Sequence, residues 1–174
     1  MALVAGGTSG IGLACAKEFA AEGAHAAVCG RDPQRLAAAE RELTAVASGR
    51  VSATGVDLTD TEAAARWVDR VAAELGGVDV LLVSGGSPPV GTATGFGTDD
   101  YRAAVDRVLL PAVAVSLAAL PHTVRAAGWG RLLLVASETA CVPIGPLVLS
   151  GVTGRRWSAS PRASPSTWAA TASP

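Results

Sequence analysis

The feature that most constrains this chain is an apolar run that breaks into glycine. Leu3-Val4-Ala5 leads into Gly6-Gly7-Thr8-Ser9-Gly10-Ile11-Gly12, and an Ala-rich helical segment, Leu13–Ala21, follows directly. Glycines at 6, 10 and 12 permit a tight turn, a close backbone approach to a pyrophosphate and close packing of helix on strand. The phosphate would then sit at the positive N-terminus of the helix. A Gly-rich turn by itself is weak, so its context carries the reading. Here a strand-like run precedes it, a helix follows, and a second apolar run, Ala26–Cys29, comes next. The turn, with Gly6, Thr8, Ser9, Gly10, Ile11 and Gly12, is a candidate dinucleotide site.

The rest of the chain alternates strand and helix. After Glu22-Gly23, a glycine suited to closing a helix, His25–Cys29 reads as the second strand. Asp32 is a candidate N-cap with Pro33 at the first helical position, opening an amphipathic helix to about Ala47. Arg50–Val56 reads as a third strand, Thr59 to about Leu75 as a helix, and Val78–Val83 as a strand buried in a parallel sheet. A loop, Ser84–Thr98, leads to a long helix from about Asp99 to Ala127, and Arg131–Ala136 is the fifth strand. This succession predicts an α/β, doubly wound parallel sheet with right-handed crossovers and strand order 3-2-1-4-5.

Composition narrows the function. With 174 residues, 49% hydrophobic and 17% charged, one domain with a real core suffices. A net charge of −1 and no basic run argue against nucleic acid or an anionic membrane and for a small ligand. Cys15, Cys29 and Cys141 are far apart with no Cys-x-x-Cys, which argues against a disulfide framework or a zinc site and suits a reduced, cytoplasmic protein; no metal site is expected. Val108–Leu120 is interrupted by Pro111 and too short to cross a bilayer, so no membrane segment is expected.

The spacing Gly6-x-x-x-Gly10-x-Gly12 resembles that of the short-chain dehydrogenases/reductases, over about residues 1–153, and closest to 3-oxoacyl-carrier-protein reductases and their divergent relatives. The resemblance implies a Rossmann fold, a nicotinamide dinucleotide, and a small carbonyl or alcohol substrate. At the end of the second strand an acid bonds the ribose of NAD, whereas an Arg meets the extra phosphate of NADP. Gly30-Arg31 offers no acid and a cation, so NADP is expected rather than NAD; a solvated turn residue is the other reading of Arg31. Asp57, before Leu58, matches the family's acid near the adenine ring, or serves as an acid before the next helix. The loop Ser84-Gly85-Gly86 stands where the family carries Asn-Asn-Ala-Gly against the ribose, or is a turn without ligand contact.

The same resemblance locates the chemistry. Ser137 falls at the family's catalytic Ser, or is a polar residue ending a strand. Thirteen residues on, the Tyr position holds Ser150, the Lys position holds Gly154, and the family's helix-borne Asn aligns with Val108. The only tyrosine, Tyr101, and the only lysine, Lys17, lie elsewhere. Ser150 is a poor stand-in for a phenol, so impaired catalysis is expected; a non-catalytic dinucleotide-binding module or an inactive fragment are the alternatives.

Two expectations concern the ends of the chain. The first strand begins at Ala2, shorter than in the family, so the true start is expected upstream. Arg155–Pro174 has no Asp, Glu, Leu, Ile, Val, Met or Phe and reads as disordered, where the family has a long helix and two more strands. Written in GC-rich codons and read two bases later, Thr153–Pro174 gives a family-like amphipathic helix, so residues 154–174 are expected to be an out-of-frame, non-native tail. The family's homodimer or homotetramer buries a stripe matching Val105, Val108, Leu109, Ala112, Val113 and Leu117 against that missing helix, so the assembly is not expected to form here.

Overall fold

The computed structural model describes residues 1–125 and 129–158. They form β1 (Ala2–Ala5), α1 (Gly10–Ala21), β2 (Ala26–Gly30), α2 (Pro33–Val46), β3 (Val51–Gly55), α3 (Thr61–Leu75), β4 (Val80–Val83), α4 (Thr98–Ala104), α5 (Leu110–Arg125), β5 (Arg131–Leu134) and α6 (Val148–Ser158). The sheet is parallel throughout, in the order β3-β2-β1-β4-β5 that the strand–helix alternation predicts. The chain divides into two compact units, Met1–Gly86 with Pro111–Val135, and Ser87–Leu110 with Ala136 onward.

In the first unit, the period of two along a strand sends alternate residues to opposite faces of the sheet. Leu3 and Ala5 of β1 join Trp67, Val68 and Val71 of α3 and Val115 and Ala119 of α5 in one apolar cluster. Val4, between them, joins Ala16 and Ala20 of α1 and Leu43 of α2 on the other face. Both faces of β1 are therefore covered, which is why its four residues are all buried.

Helix ends follow local chemistry. Asp32 caps α2 as the sequence indicates, its carboxylate accepting from the N–H groups of Gln34 (2.8 Å) and Arg35 (3.1 Å), with Pro33 behind it. Gly76, at φ 89°, closes α3. Several boundaries differ from the reading of the sequence. Helix α1 starts at Gly10 instead of Leu13, so the last glycines of the turn are already its first turn. Helix α3 starts at Thr61 instead of Thr59, because Asp60 accepts from the Ala63 N–H at 2.9 Å and is the cap. Strands β4 and β5 are shorter than read, at Val80–Val83 and Arg131–Leu134.

The long helix expected over 99–127 is not uniform. A π-helical turn, Val105–Leu109, separates α4 from α5. Pro111 has no N–H to give the carbonyl four residues back, and the Leu110 N–H reaches the Val105 carbonyl across the wider turn. Helical backbone nonetheless runs from Thr98 to Thr123, longer than the Val108–Leu120 stretch read from the sequence; this is one helical run long and apolar enough to cross a membrane by length and composition. Its Val115 and Ala119 lie in the core of the first unit. Leu117, placed in the apolar stripe by spacing, is 58% exposed. Ala126 and Ala127 lie outside the described residues.

The second unit contains α4, the π turn, a 3₁₀ turn over Glu138–Ala140, and α6. Gly91 pairs with Leu147 as an isolated parallel bridge, its N–H bonding the Pro146 carbonyl at 2.7 Å. Helix α6 continues through Ser158, so residues 155–158, which read as disordered, have helical backbone; residues 159–174 lie outside the described residues.

Candidate functional site

The Gly-rich turn lies at the C-terminal edge of the sheet, above the point where strand order reverses between β2-β1 and β4. Ligands of open α/β sheets bind in that crevice. Close approach dictates the glycines. A Cβ on Gly12 would overlap the Gly6 carbonyl, and a Cβ on Gly6 would overlap the Ser84 carbonyl. Gly10, at φ +53°, is different: nothing lies within 4 Å of where its Cβ would be, so the space before it is open. Ser9 is the N-cap, in extended backbone and without a side-chain cap bond. The Leu13 N–H bonds the Ser9 carbonyl at 3.2 Å, so the N–H groups of Gly10, Ile11 and Gly12 precede the first intrahelical bond. Ser9 and Gly10 are exposed and Ile11 is 61% exposed. This open cradle of N–H groups fits a pyrophosphate.

Under the turn, Cys29 is buried, and burial pushes its thiol up to about 12 against a smaller opposite effect of the Gly6 N–H. It is a neutral, inert thiol, and all three cysteines are free.

The ends of β2 and β3 converge through the Val56 N–H, which bonds the Gly30 carbonyl at 2.9 Å. At Gly30, an added Cβ would stand 2.6 Å from Thr8 Oγ1 and 2.7 Å from Thr8 Cγ2. Thr8 therefore occupies the place from which a residue-30 acid would reach a ribose. Arg31 is exposed, and its Nη1 lies 3.7 Å from Asp57 Oδ2. The other oxygen of Asp57 accepts from the Thr59 N–H at 3.0 Å and the Thr59 hydroxyl at 2.8 Å. Those two bonds, more than Arg31, hold the Asp57 carboxyl below its ordinary value. Asp57 is thus not the cap of α3, which Asp60 supplies; it closes an Asx turn of its own.

Beside it, Leu58 packs on the core and reaches Gly85, where a Cβ would be 3.3 Å from its Cδ1. The Ser84 N–H bonds the Ala5 carbonyl at 2.8 Å, and Gly86 turns the chain away at φ 77°. The structure thus gathers the turn residues, Arg31, Asp57, Leu58, Ser84, Gly85 and Gly86 at one edge of one unit. Thr8 as the filler of position 30 was not legible from spacing, because the contact joins two separate βα turns. Thr59, read from the sequence only as a helix start, is a partner that the spacing Asp57-x-Thr59 could have shown, since an Asp side chain bonds the backbone two residues on.

Ser137 and Ser150 belong to the second unit. Ser137 caps the 3₁₀ turn: its hydroxyl oxygen accepts from the Thr139 hydroxyl at 2.8 Å and the Thr139 N–H at 3.3 Å. Thr139, buried, is the partner that sequence reasoning missed. Ser150 is half-buried on α6, and Gly154, four residues on, faces the 3₁₀ turn, where a Cβ would be 3.2 Å from that of Ala140. Tyr101 is on α4, and Lys17 on α1 pairs with Glu42 at 2.9 Å.

The chain matches the family described as short chain dehydrogenase over residues 1–148. It is 32% identical over 149 residues to a D-beta-hydroxybutyrate dehydrogenase of Rhizobium meliloti, covering 81% of this chain and 55% of that protein. A crystal structure of a short chain dehydrogenase from Burkholderia cenocepacia in complex with NADP is 32% identical, with a TM-score of 0.81, covering 90% of this chain and 63% of that one. An NADPH-bound short chain oxidoreductase from Pseudomonas aeruginosa containing an atypical catalytic center is 26% identical, with a TM-score of 0.84, covering 90% of this chain and 61% of that one. The chain spans about half the length of the curated relatives it matches, 55% for the first. With the parallel sheet, the crossover order and the Gly-x-x-x-Gly-x-Gly turn all in place, this chain belongs to the short-chain dehydrogenase family of oxidoreductases.

Proposed function

We propose that the chain is the NADP(H)-binding part of a carbonyl or alcohol oxidoreductase of cytoplasmic setting, with proton delivery impaired. The observation that carries the reading is the end of β2: Thr8 fills the space of an acid at position 30, and Arg31 stands exposed beside it. A ribose 2′-hydroxyl finds no carboxylate at position 30, while a 2′-phosphate finds a guanidinium. The N–H groups of Gly10, Ile11 and Gly12 would hold the pyrophosphate, and Ser84–Gly86 would border the ribose.

Reducing a carbonyl takes a hydride at carbon and a proton at oxygen. When bound, the nicotinamide ring supplies the hydride. The proton must come from the chain, and Ser150 and Gly154 stand where a phenol and an ammonium are required. An alkyl hydroxyl is a far weaker acid than a phenol at about 10. Losing a general acid costs 10²–10⁴-fold, roughly 3–5 kcal/mol of barrier. Ser137, bonded to Thr139, remains as a substrate-orienting hydroxyl.

Fluorescence titration tests the reading. NADPH is expected to bind more tightly than NADH, and Arg31→Ala to remove that preference while sparing NADH. Equal affinities in the unaltered chain would overturn it. With an acetoacetyl thioester, NADPH oxidation is expected below about 1 s⁻¹, at the bottom of the usual enzyme range; faster turnover would show that another group supplies the proton.

A further inference from the structure

We propose that Asp57 is a specificity-determining residue: anchored by Thr59, it is the resident counter-ion of Arg31 and weakens the chain's hold on a 2′-phosphate without affecting a 2′-hydroxyl. The inference rests on the role given to Arg31 above. Three observations carry it. First, the carboxylate is not free to swing away, because Oδ1 is held by both the N–H and the hydroxyl of Thr59 at 3.0 and 2.8 Å. Second, that anchoring leaves Oδ2 facing Arg31 Nη1 at 3.7 Å. Third, Asp32, next to Arg31 in the sequence, is committed elsewhere: its Oδ1 caps α2, and its Oδ2 lies 3.9 Å from Arg35.

Asp57 is therefore a fixed negative charge on the cation that would read the phosphate. A phosphate monoester carries about −1.5 to −2 charge near neutral pH. To engage Arg31 it must displace or share it with Asp57, and it meets a like charge as it does so. A cofactor ending in a hydroxyl leaves the pair intact. The pair is exposed, so its contribution is small: exposed ion pairs are worth up to about 1 kcal/mol, which is about fivefold in affinity. The Thr59 bonds also keep Asp57 ionised at neutral pH.

The test uses adenosine 2′,5′-bisphosphate and adenosine 5′-monophosphate, which report the adenosine end alone and need no turnover. Asp57→Asn keeps an oxygen for Thr59 and removes the charge; Asp57→Ser does the same with a different shape. Both are expected to tighten the bisphosphate about three- to fivefold and to leave the monophosphate within about twofold. Asp57→Glu, which keeps the charge, is expected to tighten neither. The gain is expected to vanish in an Arg31→Ala background. Unchanged affinities, weakening of both nucleotides by Asn and Ser, or a gain that survives Arg31→Ala would each overturn the proposal. If Arg31→Ala alone leaves the bisphosphate-to-monophosphate ratio unchanged, it is the NADP assignment that fails. Circular dichroism of each variant confirms the fold.

Discussion

A hydrogen atom where other residues carry a methyl decides whether the β1–α1 turn closes. At position 12 a methyl would overlap the Gly6 carbonyl, which is backbone and cannot rotate aside. Gly12→Ala is expected to cost about 1–3 kcal/mol, the usual range for overpacking, and to lower NADPH affinity at least tenfold; thermal melting and fluorescence titration measure the two. Gly10→Ala meets open space, so its effect is confined to its φ of +53°. Under the same turn, folding raises the Cys29 thiol to about 12. Because the folded value lies above the unfolded one of about 8.5, the protonated thiol supports the native state fully below about 8.5, and that support fades as pH rises towards 12. Urea midpoints at pH 7 and pH 10 are expected to differ more in the unaltered chain than in Cys29→Ala. The glycine spacing was legible in the sequence because a phosphate-binding turn needs those positions bare. The contact of Thr8 with Gly30 depends on how two turns meet, whereas Ser137 with Thr139 lies within one turn.

At the scale of elements, α3 shows how a surface helix is held. Trp67 is 2% exposed and sits among Leu3, Val68, Val71 and Leu81 in the cluster beneath β1 and β4, while its Nε1 has no hydrogen-bond partner among the described residues. Trp67→Ala is expected to cost about 3–5 kcal/mol, the range for emptying a large aromatic site. Trp67→Phe is expected to cost under about 1.5 kcal/mol, because it also removes an unpaired buried N–H. Chemical denaturation separates the two. Elements with caps or unbroken apolar runs, such as α2 and β4, were readable from the sequence. The π turn before Pro111 and helix α6 were not. In the first, a missing N–H is absorbed by widening the helix instead of ending it. In the second, Leu149 and Thr153 are buried although Ser150, Gly151 and Gly154 interrupt the segment, so packing outweighs composition.

For the molecule as a whole, the strand order was legible. Among the described residues β5 has a partner on one side only, and Leu132 and Leu133 are 42% and 40% exposed. An apolar strand edge is a template for pairing with another chain. The chain is expected to self-associate in light scattering, and Leu133→Lys to reduce the association. The central place of β1 also has a consequence in time. Strand β1 is made before both of its neighbours: β2 is complete at Gly30, and β4 is not complete until Val83. At 5–20 residues per second, the intervening stretch of about 50 residues takes roughly 3–10 s to synthesise. During that interval the nascent chain holds β1 and β2, and from residue 55 also β3, with one flank of β1 bare, and Val4 can find α1 and α2 before Leu3 has met Val115. The two faces of a single four-residue strand are thus completed in a fixed order, one early and one late.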